Sequence, residues 1–139
     1  MELQAALTWA AERKNAVLIT LRKDGRAQSS DIAYTIVDGQ FWISLTDSRA
    51  KTANMRRDNR VVLHITEPGS WSYISFDGTV ELTPVTTATD DATADQLVDY
   101  YERVAGQAHP DWDEYRQAMI DEGRLIAVFT AAKAVGQTH

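Results

Sequence analysis

The sequence predicts a mainly β protein: an antiparallel β-barrel with peripheral helices, forming one domain over residues 1–139. Three observations lead there. Successive apolar, β-rich runs are joined by tight turns rather than by crossover helices. No βαβ rhythm repeats along the chain, which disfavours a doubly wound parallel sheet. No linker, internal repeat or low-complexity tract divides the 139 residues, a length that buries about two-thirds of the unfolded surface in a single core.

The elements follow in order. Leu3, Leu7 and Ala10 recur at helical spacing, predicting a short amphipathic helix over 3–13. Three β-rich runs come next: Ala16–Leu21, Ser30–Val37 and Phe41–Thr46. Lys23-Asp24-Gly25-Arg26 joins the first two and Asp38-Gly39 the second pair. Asp-Gly supplies the positive φ of a tight hairpin, so the three runs read as an antiparallel meander. Asp47 or Ser48 is placed to cap a helix from about Arg49 to Arg57. A fourth strand, Val61–Thr66, leads through the turn Glu67-Pro68-Gly69-Ser70 into a long fifth strand, Trp71–Pro84, with a bend or bulge at Gly78. A helix starts at Thr89-Asp90-Asp91, places Leu97, Val98, Tyr101, Val104 and Ala105 on one face, and ends at Gly106. Another runs over Pro110–Glu122 and closes at Gly123. Arg124–Thr130 is the sixth and last strand.

Composition narrows the function classes. There is no cysteine, which excludes disulfides, thiolate zinc sites and a cysteine nucleophile. The first residues lack the basic start, long apolar stretch and cleavage site of a secretion signal. No apolar run approaches the roughly 18 residues needed to cross a membrane. A cytoplasmic protein with no membrane partner is the expectation. The net charge of −6 argues against a nucleic-acid partner. Yet five of the 14 basic residues, Arg49, Lys51, Arg56, Arg57 and Arg60, fall within twelve positions. One compact basic patch on an acidic chain points to a specific small anion.

That patch carries the strongest chemical signal. A strand ends at Thr46, and a helix begins with Arg49 and Lys51 in its first turn, where the helix dipole opposes cations. Unpaired N–H groups together with Arg and Lys make a phosphate site, and a bound anion would offset the penalty. The competing reading is a solvated basic face. It is favoured for Arg56 and Arg57, which the dipole welcomes at the helix C-terminus.

On the second strand, Asp31, Ala33 and Thr35 face away from Ile32, Tyr34 and Ile36. Such a small, polar face either admits a flat ligand or simply meets solvent. Trp71 and Tyr73 share one side of the fifth strand and either wall a ring system, bury an interface or pack in the core. His64, His109 and His139 lie far apart without accompanying carboxylates, so no metal site is expected. No P-loop, G-x-G-x-x-G or G-x-S-x-G is present, and no side chain receives a catalytic acid–base assignment.

Taken together, "DGRAQSSDIAY", "SRAKTANMRRDNRV", "GSWSYISFDGTVELTP" and "HPDWDEYRQAM" resemble the pyridoxamine-phosphate-oxidase-like family of flavin and deazaflavin oxidoreductases. The likeness spans nearly the whole chain and is greatest to the branch that uses coenzyme F-420. It implies a six-stranded, Greek-key split β-barrel and a homodimer with two sites at the subunit interface. Arg49, Lys51 and Thr52 match residues that hold the cofactor phosphate, and Arg57 is a further cofactor-binding candidate. Gln28, Ser30 and Asp31 match positions near the ring or its side chain. Trp71 and Tyr73 match aromatics that approach the ring from the partner subunit. Asp31 departs from the neutral amide common in related proteins. A carboxylate there needs an opposing donor or a raised pKa. The implied activity is hydride transfer from reduced F-420 to an unsaturated small molecule. An FMN-dependent oxidase or reductase, and an F-420-binding protein without turnover, are the alternatives.

Overall fold

The computed structural model describes all of Met1–His139. The elements are α1 (Leu3–Ala11), β1 (Asn15–Leu21), β2 (Ala27–Ala33), β3 (Thr35–Val37), β4 (Gln40–Thr46), α2 (Ala50–Arg57), β5 (Arg60–Glu67), β6 (Ser72–Leu82), α3 (Ala92–Ala105), α4 (Trp112–Glu122) and β7 (Arg124–Gln137). The strands form one sheet in the order β2-β1-β5-β6-β7-β4-β3, antiparallel throughout.

The predicted antiparallel barrel is present, with seven strands in place of six because the second β-rich run breaks at Tyr34. Its hydroxyl donates to the Ala10 carbonyl at 2.6 Å and its N–H to the Lys14 carbonyl at 2.8 Å. The first bond ties the side chain to α1, and the second holds the backbone against the residue just before β1. The first half of the run then pairs with β1 and the second half with β4. The two ends of the sheet are therefore consecutive pieces of one run, and the sheet curls until they meet.

Alternation fills the curled sheet. Leu18, Ile43, Leu63, Ile65, Ile74, Phe76 and Phe129 point inward and are essentially inaccessible. Phe41 packs on Tyr34, Phe76 and Phe129 with ring centroids 5.1–5.6 Å apart. A smaller cluster of Leu97, Tyr115, Met119 and Ile126 seats α3 and α4 on the outer surface of β7, with Trp42 and Val128 packed against it.

Gly78 marks a register shift between β6 and β7, as its place in the sequence predicts, and an added Cβ would lie 2.1 Å from the Thr130 carbonyl oxygen. The last strand runs well past Thr130, because Ala131–Gln137 pairs on along β6 as far as Tyr73. Pro110 lies outside α4, whose cap is Asp111. The expected cap of α2 by Asp47 or Ser48 is corrected. Arg49 occupies that position, and the Asp47 carboxylate instead pairs with Arg56 at 2.6 Å.

Candidate functional site: the start of the second helix and the outer groove

The start of α2 is the one helix start left open. Arg49 makes no side-chain capping bond, and no acidic residue lies in the first turn. Glu2, Asp91 and Asp111 each accept backbone N–H groups at the starts of the other helices. Two forces hold the chain in place here: the Thr52 hydroxyl donates to the Thr46 carbonyl at 2.8 Å, and the Arg49 carbonyl accepts the first helical bonds.

Cations crowd this opening. The Lys51 ammonium is pushed below the usual lysine range, first by desolvation and then by Arg49 and Arg124 beside it. Arg124 is brought there because it stands opposite Thr46 in the β4–β7 ladder, and Glu122 holds it at 2.9 Å. Arg49 and Lys51 have no carboxylate partner, whereas Arg56 pairs with Asp47 at 2.6 Å and Arg60 with Asp58 at 2.7 Å. Unpaired N–H groups and positive charge that no carboxylate offsets describe a place where a phosphate fits. Thr52 is fully buried with its hydroxyl proton engaged, so it fastens the helix start.

One turn further along α2, Asn54 shares a face with Lys51. Its Nδ2 donates to Thr20 Oγ1 at 3.1 Å and to Gln28 Oε1 at 2.9 Å, while its Oδ1 accepts from Arg57 Nη2 at 2.8 Å. Arg57 also donates to the Leu21 carbonyl at 3.0 Å. These bonds join Gln28 to the basic helix start. Ser30 lies on the same side of β2 as Gln28 and is half-buried there.

Asp31 is on the opposite face of β2. It stands across from Val17, which stands across from His64, which stands across from Ser75. This row crosses the outer surface of the barrel, and two adjoining depressions of about 750 and 540 Å³ open along it. Asp31, Arg13 and Val17 line the first; Trp71 and Tyr73 line the second; His64, Thr66, Glu67 and Pro68 line both. Arg13 lies across the Trp9 ring at 3.7 Å and pairs with Glu67 at 2.6 Å. The His64 and Tyr73 rings are 5.7 Å apart, and His64 Nδ1 lies 3.3 Å from Ser75 Oγ. Trp71 is 86% exposed and held at φ +62°, a left-handed conformation that costs a bulky residue roughly 1–3 kcal/mol.

The structure thus sorts the sequence-predicted residues into two places. Arg49, Lys51, Thr52, Arg57, Gln28 and Ser30 gather around α2 and the start of β2. Asp31, Trp71 and Tyr73 share the outer groove. Sequence reasoning missed Asn54, Arg124, His64, Arg13 and Glu67. Their roles come from ladder register and from side-chain bonds between distant residues, which no local pattern displays. No group of three or more His, Asp and Glu side chains converges to hold a metal ion.

A curled antiparallel barrel with helices at its periphery defines the small split-barrel class of protein. The chain belongs to the pyridoxamine 5'-phosphate oxidase family, which it matches over residues 3–135. Among solved structures it resembles a conserved hypothetical protein from Mycobacterium tuberculosis, at 20% identity and a TM-score of 0.79, covering 100% of this chain and 86% of that one. It also resembles an F-420 reductase, at 21% identity and a TM-score of 0.67, over 91% of this chain and 94% of the other. A third similar structure is a FAD-binding protein from Mesorhizobium loti, at 16% identity and a TM-score of 0.68, over 98% and 92% of the two chains. At these identities the likenesses establish a common fold.

Proposed function

We propose that this protein is an oxidoreductase that binds coenzyme F-420 and passes a hydride from its reduced form to an unsaturated organic substrate. The observation that carries the reading is the open start of α2, with Arg49 and Lys51 unpaired and Lys51 crowded by Arg124. Membership of the pyridoxamine 5'-phosphate oxidase family supports it, as does the fold shared with an F-420 reductase. Bound there, the deazaflavin supplies the hydride chemistry. The chain's own part is to hold the phosphate with Arg49, Lys51 and the first amides of α2, and to orient the remainder through Gln28. No catalytic side chain is assigned.

A second copy of the chain completes the site in this reading. The α2 region and the outer groove share no lining residue within one chain, and Trp71, Tyr73 and Val135 stand exposed on the barrel surface. Exposed apolar patches of this kind mark interfaces. A homodimer covers them and carries Trp71 and Tyr73 of the partner subunit to the ring. Sedimentation giving about twice the 15.5 kDa chain mass is the expected result, and a monomer at micromolar concentration would remove the shared site.

FMN is the rival ligand, and one observation favours it. Arg56, Arg57 and Arg60 are engaged within the chain, which leaves fewer free cations for the oligoglutamate tail of F-420 than the sequence count promises. Equilibrium binding of both cofactors, at low and at about 0.5 M salt, separates the two. F-420 should bind more tightly at low salt by a modest margin that salt narrows, since exposed charge pairs contribute only ~0–1 kcal/mol each. Tighter FMN binding at low salt would hand the site to FMN.

A further inference from the structure

The bonds around Asn54 have a direction. A guanidinium can only donate. Arg57 Nη2 donates to Asn54 Oδ1 at 2.8 Å, so the Asn54 oxygen must face Arg57 and its Nδ2 must face away. That Nδ2 donates to Gln28 Oε1 at 2.9 Å and to Thr20 Oγ1 at 3.1 Å. Gln28 is oriented in turn: its oxygen is engaged, and its Nε2 makes no bond within the chain. Amide oxygen and nitrogen are alike in shape and are told apart only by their partners. Here the donor-only group at one end decides the orientation of both amides. Asn54 is 6% exposed with every polar atom satisfied, so neither amide can turn without breaking a hydrogen bond shielded in part or in full from water.

We infer that Arg57, Asn54 and Gln28 form a polarity relay that presents the Gln28 amide to the ligand as a hydrogen-bond donor. The group selected at this point is then an acceptor on the part of the cofactor beyond its phosphate, a carbonyl or carboxylate oxygen, and a donor is rejected. This rests on the reading of α2 as the cofactor site, because Asn54 lies one turn from Lys51 on the same face. Asn54 acts through Gln28 and is a positioning residue. Arg57 sets polarity from behind rather than touching the ligand.

The test is a change of polarity that keeps the shape. In Asn54→Asp the carboxylate still accepts from Arg57. The Thr20 hydroxyl can rotate to donate to it, and Gln28 can turn its Nε2 inward. All three links survive with the outward atom of Gln28 changed from nitrogen to oxygen. Gln28→Glu reaches the same outward acceptor while leaving Asn54 in place. F-420, FMN and inorganic phosphate are titrated against the full chain and both variants, with melting temperature followed in parallel. The relay predicts cofactor affinity lowered about tenfold or more in both variants, well beyond the smaller drop in inorganic phosphate affinity that the added negative charge alone brings. The Asn54→Asp melting temperature should stay within a few degrees of the unsubstituted protein, which a purely structural loss would not allow. Should Asn54→Asp unfold, Gln28→Glu decides alone. Cofactor affinity in Gln28→Glu, or in a folded Asn54→Asp, that is unchanged or falls no further than inorganic phosphate affinity overturns the relay. Failure of the unsubstituted protein to bind either cofactor overturns the cofactor reading itself.

Discussion

The starts of α2 and α3 pose the same backbone problem and solve it in opposite ways. At α3 the Asp91 carboxylate accepts from Ala94 N and Thr86 Oγ1 at 2.8 Å, Thr87 N at 2.9 Å and Ala88 N at 3.2 Å. Burial works to raise its pKa, yet these four bonds outweigh burial and hold it at about 2. At α2 no side chain caps the helix, and the residues that stand there are cations, which the dipole disfavours. One start is satisfied from within and serves stability. The other is left unsatisfied within the chain, at some cost to stability, and is the place the proposed function gives to a ligand.

The largest expected effect tests that division from the ligand side. Lys51→Ala should weaken F-420 binding by about 1.5–3 kcal/mol, the range for a hydrogen bond to a charged group. It should also leave the unliganded protein at least as stable, because a crowded, desolvated cation is removed. Calorimetric titration and thermal unfolding of the same sample read both quantities, and unchanged affinity contradicts the phosphate role.

Asp91→Ala should do the reverse. Losing the cap costs about 1–2 kcal/mol of stability with cofactor affinity unaltered. The pH dependence has a definite sign. Asp91 ionises more readily folded than unfolded, so its contribution is complete above its ordinary value of 3.8 and disappears as pH falls toward about 2. Denaturant unfolding across that window should show a shallower loss in the variant than in the parent. Equal slopes would mean that the carboxylate does not hold α3.

Arg49→Ser supplies α2 with the cap it lacks and should add up to ~1 kcal/mol of stability, while F-420 affinity falls. A variant that gains stability and keeps its affinity would show that the open helix start is not the site. The smallest effect is in pH. Lys51 loses its proton below the usual lysine value of 10.5, so phosphate affinity should fall as alkaline pH passes through its lowered pKa. In the unliganded protein, stability should rise over the same range, because the unfolded chain binds that proton more tightly.

Much of this contrast was legible in the sequence, and the remainder fails for identifiable reasons. The Asp-Gly turns, Gly78, and the helix stops at Gly106 and Gly123 are local signals, and each appears where expected. The break at Tyr34 is not local, since it depends on a carbonyl in α1. The second half of β7 has weak alternation and is a strand because β6 lies beside it. Asp47 reads as a cap until Arg56, nine residues on, takes its carboxylate. Within the site, Arg49 and Lys51 stood out by type and position. Gln28 and Asp31 lie three residues apart and face opposite sides of β2, so within one chain the first stands beside α2 and the second in the outer groove.

The most direct measurement follows the backbone amides of the whole chain by nitrogen-15 NMR during titration with inorganic phosphate and then with F-420. The amides of Ala50 and Lys51, in the first turn of α2, should move most with phosphate, and Gln28 should join them only with F-420. Largest shifts along Asp31, His64 and Tyr73, with α2 unmoved, would contradict the account.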